Sequence, residues 1–266
     1  MTKKFVKIIK NIVRHPHARK NVLASFSRFL FWQLTAPKKN FRLYLWQNGI
    51  KVFVRRGMTG FTGNIYCEYY EYEDMMLLRH KSNDFQHFID VGANVGAYTL
   101  HVLNLDDSKT VISFEPLKKN FEILKRNVGL NDWQDRWIGF NKCVGPSADK
   151  VLITSNLDTK NQVVSADTKN ESLIAVDQIP LDEYKLPSST YMKIDVEGYE
   201  PFVLMGAMKT LKNKNLKLII IESVDDNIER VFIESGFRKC YYDVEAQRLT
   251  KSKPKDYFTK NTIFSR

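Results

Sequence analysis

The stretch Phe88-Ile-Asp-Val-Gly-Ala-Asn-Val-Gly-Ala-Tyr-Thr-Leu100 limits what this chain can fold into more than any other. A short apolar run from His87 to Val91, with an acid at Asp90, meets the small-residue turn of Gly92, Ala93, Asn94 and Gly96. Apolar residues then recur at spacings of three and four as far as Leu103. That order reads as strand, tight loop and helix. Glycines at 92 and 96 let a ligand lie directly on the backbone, and the free N–H groups of the helix start favour a carboxylate or phosphate. Any glycine-containing strand-to-helix turn has this look, so the next segment decides between a ligand loop and a purely structural turn.

That segment is Thr110 to Phe114, a β-branched and aromatic run ending at Glu115-Pro116 and followed by the helical pattern of Leu117 to Leu130. An acid at the tip of the second strand, about 20 residues beyond the glycines, is where nucleotide-binding α/β folds hold ribose hydroxyls. The three-glycine phosphate fingerprint is missing, because Asn94 stands where its second glycine would be. An adenosine without a pyrophosphate fits this pattern, which points to S-adenosylmethionine rather than NAD. Gly92, Asn94 and Gly96 fall to the methionine side of that cofactor and Glu115 to its ribose. Asp90, Tyr98, Thr99 and Cys143 are further candidates for contact with it.

At 266 residues with 43% apolar content the chain can bury one substantial core, so one domain with an appendage is expected. The division is drawn as residues 1–60, a basic segment of helices and a hairpin, and residues 61–266, the α/β domain. Three cysteines without pairwise spacing suggest reduced thiols and a cytoplasmic setting. No apolar run is long enough to span a bilayer, and the first residues lack the pattern of a signal peptide. The net charge of +11 is uneven: Met1 to Cys67 holds 14 Lys and Arg and no acid, leaving 27 basic against 30 acidic residues beyond.

Lys3 to Val13 alternates basic and apolar residues at helical spacing, His15-Pro16 breaks it, and Arg19 to Leu34 is a second helical pattern rich in Phe, Leu and Trp. Such helices can lie in an anionic membrane interface, on the inner face of a membrane, or cap the α/β domain with their aromatics inward. Nucleic acid is the less favoured partner, since no motif for it is recognisable. Asn48-Gly49 marks a hairpin between Phe41–Gln47 and Ile50–Arg55, and Glu68 to His80 reads as a helix. Strands are expected at 136–142, 150–154, 179–184, 190–195, 216–222, 237–243 and 261–265, with helices at 200–211 and 227–235. The polar stretch 155–172 is a candidate substrate loop. Alternation throughout predicts a doubly wound sheet with ligands at the carboxyl ends of its strands.

Several segments, taken in order, resemble the FkbM-type S-adenosylmethionine-dependent methyltransferases. They are Thr62–Tyr66 with Glu71–Met75, Asp90–Thr99, Phe114-Glu-Pro116, Asn127–Trp133, Leu157-Asp-Thr159 with Asn161, Leu181-Asp-Glu183, and Lys193–Gly198 with Gly206-Ala207. The resemblance covers roughly residues 60 to 266. It implies a class I methyltransferase fold, Rossmann-like, with a mostly parallel seven-stranded sheet whose last strand is antiparallel. It also implies O-methylation of small molecules or sugar hydroxyls. Glu68 and Tyr70 stand where the family has Gly and often His, and Gln162 where some members have His.

Methyl transfer from a sulfonium needs an acceptor oxygen held in line and a group to take its proton; positioning can supply most of the rate. Asp195 and Glu197, at the end of the fourth core strand, are candidates for base or acceptor-orienting group, with Lys193 on the same side to keep Asp195 ionised. The structural alternative is that Asp195 and Glu197 cap the next helix or shape the loop under the cofactor. Glu71, Asp158, Asn161 and Glu222 are candidates for acceptor contact. Asp195, Glu197 and Glu222 could together ligate a divalent cation, although no metal is assigned. The leading expectation is an O-methyltransferase acting on a glycan or glycolipid hydroxyl; RNA ribose or small-metabolite methylation and a non-enzymatic cofactor-binding protein are the alternatives. Asp-Val-Glu-Gly stands where base amino-methylating enzymes have Asn or Asp, two prolines and an aromatic.

Overall fold

The computed structural model describes residues 2–154, 163–164 and 173–266. Helices α1 (Thr2–Arg14) and α2 (Val22–Thr35) are joined by a 3-10 turn over Ala18–Asn21. A hairpin pairs β1 (Arg42–Trp46) with β2 (Ile50–Val54), and helices α3 (Thr59–Cys67) and α4 (Tyr72–His80) follow. The alternating part then runs β3 (His87–Val91), α5 (Ala97–Leu103), β4 (Thr110–Phe114), α6 (Lys118–Leu130), β5 (Trp137–Phe140), β6 (Cys143–Val144), β7 (Asp149–Thr154), β8 (Val163–Val164), β9 (Leu173–Ile179) and β10 (Thr190–Ile194). It closes with α7 (Glu200–Met205), α8 (Met208–Lys212), β11 (Leu216–Ile221), α9 (Asp226–Glu234), β12 (Arg238–Asp243), β13 (Arg248–Thr250) and β14 (Thr262–Ser265).

The main sheet has the order β13-β12-β14-β11-β10-β3-β4-β5. Strands β5, β4, β3, β10 and β11 are mutually parallel, and β14 inserts antiparallel between β11 and β12. The expected seven-stranded arrangement is therefore present, with short β13 added at one edge. Strand order reverses between β3 and β10, so the crevice for a ligand opens at their carboxyl ends. A second sheet, ordered β6-β9-β7-β8, was not foreseen. Its small apolar cluster of Cys143, Ile153 and Val176 takes in Leu117 and Tyr199 and walls one side of that crevice.

Three expected boundaries move for local reasons. The helix expected over 68–80 starts at Tyr72, because Glu68 takes a left-handed backbone (φ 67°) that ends α3 and turns the chain. The run 179–184 is strand only at Ile179; Leu181–Glu183 is a 3-10 turn. The helix expected over 200–211 breaks at Gly206, where a Cβ would lie 1.9 Å from the Gly145 carbonyl oxygen.

Polar side chains complete what backbone pairing leaves open. Two asparagines one helical turn apart, Asn127 on α6 and Asn131 at its C-cap, act as a third partner for the β1–β2 hairpin. Asn127 accepts the Phe53 N–H (2.8 Å) and donates to Val95 O (3.1 Å), while Asn131 accepts from and donates to the Lys51 backbone.

The N-terminal helices belong to the same apolar cluster as the α/β domain: Ile12, Phe29 and Trp32 are buried with Trp46, Phe61 and Tyr66. His15, wholly buried, pins them. Its Nδ1 accepts the N–H groups of His17 (3.2 Å) and Ala18 (3.1 Å), and its Nε2–H donates to Tyr69 O (2.7 Å). Burial holds the imidazole neutral, lowering its pKa to about 4. The folded state thus resists a proton that the unfolded chain accepts near 6.5, so this contribution is full above pH 6.5 and is lost as the pH falls towards 4. In urea unfolding between pH 7 and pH 4, His15→Gln is expected to lose about 2 to 4 kcal/mol less stability than the wild type.

Candidate active site at the carboxyl ends of the central strands

The crevice is framed by the loop after β3, the tip of β4, the end of β10, and the turn between α3 and α4. The first three are each locked by a buried carboxylate or a glycine. Glu115 at the end of β4 accepts the Asn94 N–H (2.8 Å) through Oε2 and the Leu117 N–H (2.9 Å) through Oε1, tying the two strand-end loops together. Burial pushes its carboxyl up to about 7 although those N–H groups pull it down. Asp90 accepts both the backbone N–H (3.1 Å) and the hydroxyl (2.6 Å) of Thr99, fastening α5 to β3; burial raises it to about 6. After β10, buried Glu200 receives the N–H groups of Gly198 and Val196.

Gly92 and Gly96 have positive φ, 84° and 97°. They are glycines for packing as much as for a ligand: a Cβ on Gly92 would lie 1.8 Å from Asp195 O, and one on Gly96 2.4 Å from Leu124 Cδ1.

Lys193 is 3% exposed and sits at the centre of the acidic end. Its ammonium contacts Asp195 Oδ2, lies 3.9 Å from Glu71 Oε2, and stands 4.3 Å over the Tyr98 ring. Burial works against its charge, but Asp195 and Glu71 more than offset this and raise its pKa. Burial likewise pushes the Asp195 carboxyl up, and the Lys193 ammonium outweighs it to hold Asp195 below the ordinary carboxylate value. Glu222, at the end of β11, is the opposite case. Burial first, then the Asp195 charge, push it up to about 8, and as an acid it shares a hydrogen bond with Asp195. Its Oε2 is buried without a hydrogen-bond partner among the described residues. Asp195, Glu197 and Glu222 each bring one oxygen within 4.8 Å of the others, the convergence a cation site would need.

Of the residues singled out from the sequence, Asp90, Gly92, Asn94, Tyr98, Glu115, Cys143, Glu71, Lys193, Asp195 and Glu197 line the crevice. Gly96 and Thr99 stand behind it and shape the loop. Glu222 reaches it through Asp195. Asp158 and Asn161 lie outside the described residues. The cap position of α7 is held by Tyr199, whose side chain makes no capping bond, rather than by Asp195 or Glu197. Sequence reasoning missed Gly60, Asn64, Asn120 and Tyr199, which also line the crevice. Asn64 and Gly60 lie on α3, a helix without a periodic apolar stripe.

A parallel sheet reversing between β3 and β10, with an antiparallel β14 and a crevice bounded by a strand-end acid, defines a class I methyltransferase fold. The sequence profile of the methyltransferase FkbM domain matches residues 90–250, more than half of the chain, and the chain belongs to that family. Methyltransferase 1 of Beauveria bassiana (strain ARSEF 2860) is 23% identical over 149 residues, 55% of this chain and 58% of that protein. The FkbM methyltransferase structure from Methylobacillus flagellatus KT superposes with a TM-score of 0.47 at 15% identity, covering 77% of this chain and 52% of that one. A putative RNA methyltransferase from Pyrococcus horikoshii gives 0.41 at 13% identity, over 91% and 98% of the two chains. The chain thus spans little more than half the length of the first two.

The Gly92 contact sets a clear expectation. Gly92→Ala must push the ends of β3 and β10 apart and is expected to cost 3 kcal/mol or more, on the order of a core overpacking plus a strained φ. Gly129→Ala, on α6 with no atom near its Cβ, is expected to gain up to about 1 kcal/mol. Urea unfolding of the two variants beside the wild type checks both.

Proposed function

We propose that the protein is an S-adenosylmethionine-dependent O-methyltransferase acting on a hydroxyl of a sugar in a glycan or glycolipid. The observation that carries this reading is the sign of the acceptor end. Glu71, Asp195, Glu197 and Glu222 converge there around one buried ammonium, that of Lys193, which already contacts Asp195. Carboxyl groups accept hydrogen bonds from hydroxyls and repel phosphates, so a polyhydroxylated neutral acceptor suits the site better than a nucleic acid.

The donor set at the other end fits the cofactor. Glu115 and Asn120 offer polar groups to a ribose, and Leu117, Cys143, Ile153 and Tyr199 form an apolar wall for a purine. Asn64, Gly60 and the Gly92–Asn94 loop stand towards an amino-acid end. Cys143 serves as wall rather than nucleophile, because burial pushes its thiol up to about 12. When bound, the cofactor supplies a methyl group on a sulfonium leaving group.

The chain's own part is to orient and deprotonate. Lys193 keeps Asp195 ionised, so Asp195 can accept the hydroxyl proton while Glu222, protonated near neutrality, donates to the same carboxylate. A low-pKa base is weak, which places most of the rate in positioning.

These outcomes are expected. Purified protein given methyl-labelled S-adenosylmethionine and fractionated host extract should label the glycan or glycolipid fraction. Asp195→Asn should lower that rate about 10²- to 10⁴-fold with S-adenosylhomocysteine binding retained; label appearing in RNA instead would overturn the substrate reading. Glu115→Ala should weaken S-adenosylhomocysteine binding by about 1.5 to 3 kcal/mol by calorimetry. With the acceptor in hand, kcat/KM should hold on acidification down to roughly pH 4, the ordinary carboxylate range, and in Lys193→Met the acidic limb should move upward.

A further inference from the structure

We propose that the outer face of α2 is a seat for an anionic lipid bilayer, which brings the crevice against acceptors carried in that surface. The second clause rests on the methyltransferase reading; the first does not.

A helix packed on a domain normally buries one stripe and presents polar residues outward. Helix α2 is apolar on both sides. Ser25, Phe29 and Trp32 are buried inward, while Leu23 (82% exposed), Leu30 (38%), Phe31 (62%) and Leu34 (82%) form one outward ridge at spacings of seven, one and three. Exposed apolar ridges of this kind mark a surface that something covers.

The charges around the ridge identify the occupant. Lys20 is exposed just before α2, next to Arg19, which pairs with Asp256 (3.0 Å); Lys38 and Lys39 are exposed just after it, and the Arg42 guanidinium stands 5.8 Å from the Phe31 ring centre. No acid occurs in the chain before Glu68. An apolar stripe bracketed by cations matches acyl chains below and anionic headgroups beside them. A nucleic acid would want stacking faces, and three of the four ridge residues are leucines, which have none. Among the described residues no helix is long and apolar enough to cross a membrane, so α2 lies on the surface rather than through it.

The seat is coupled to the crevice through one turn. Arg28 on α2 donates to Tyr66 O (3.1 Å), and His15 donates to Tyr69 O and Tyr70 O. Tyr70 and Glu71, at the end of that turn, line the crevice.

The test is sedimentation of the full chain with vesicles of phosphatidylcholine alone and of phosphatidylcholine with about one third phosphatidylglycerol. Wild type is expected to pellet with the anionic vesicles only, and less so as salt rises from about 0.1 M to about 1 M. The triple variant Leu23→Ser, Phe31→Ser, Leu34→Ser removes side chains exposed in the folded state. It should bind anionic vesicles roughly a thousandfold more weakly, at about tenfold per side chain, with S-adenosylhomocysteine affinity unchanged as the check on folding. Wild type left in the supernatant would overturn the proposal, as would equal pelleting of wild type and variant. A dimer that the variant splits would assign the ridge to a second copy of the chain instead, and single-stranded RNA that binds wild type but not the variant would assign it to nucleic acid. Vesicle binding without label uptake from S-adenosylmethionine would leave the seat standing and remove the enzymatic reading.

Discussion

One buried ammonium sets the terms for the acidic end of this molecule. Lys193 is paired in register with Asp90 across the parallel β10–β3 ladder, contacts Asp195 two residues on, and reaches towards Glu71. Buried charges survive only when compensated, and removing one partner of such a group typically costs about 3 to 5 kcal/mol. The arrangement also divides the carboxyl groups into two kinds. Asp195, against the ammonium, is held ionised; Asp74 and Glu222, farther from it, are pushed up by burial to about 7 and about 8. A site that separates acids in this way holds a hydrogen-bond acceptor and a hydrogen-bond donor made from the same functional group.

The second constraint is steric. Parallel strands deliver their loops to one edge, and those loops must cross within van der Waals distance for a small ligand to touch several of them. Gly92 gives way to the Asp195 carbonyl, Gly206 to the Gly145 carbonyl, and buried acids take up the N–H groups that the turns strip of partners. Asn94 and Glu197 accept left-handed φ values of 52° in the same loops. Strain of this kind, about 1 kcal/mol or more per residue, persists where the surroundings over-determine the backbone.

Much of this was legible in the sequence, for a physical reason. Strands buried on both faces read as apolar runs, so Phe88–Val91, Thr110–Phe114, Tyr191–Ile194 and Leu216–Ile221 stand out, and acids and glycines at their ends stand out against them. What was not legible depends on partners distant in sequence. Helix α3 has no apolar period, because its buried residues face α2 on one side and the crevice on the other. The four-stranded sheet pairs two-residue strands such as β6 and β8, too short for any alternation to show. Asn127 and Asn131 look like ordinary helix-surface polars until the hairpin edge they complete is in place. Glu200 reads as a first-turn helix acid, and only the fold turns it inward to the loop it holds.

Glu68 carries the same lesson to the N-terminal segment. The family resemblance puts glycine at this position, and the left-handed backbone found there explains that preference, since a side chain at φ 67° costs about 1 kcal/mol or more. Here the glutamate is retained, with Oε2 2.7 Å from His17 Nε2 and its carbonyl accepting from Trp46 and Gln47. The side chain that strains the turn is thus the one that grips the helical extension, and His15 grips the next two carbonyls along. The extension lies outside the stretch matched by the family profile, yet it is fixed to the turn that presents Tyr70 and Glu71 to the crevice. Whatever the extension touches is mechanically joined to the acidic end of the crevice, and this local departure from the family's glycine is part of the joint.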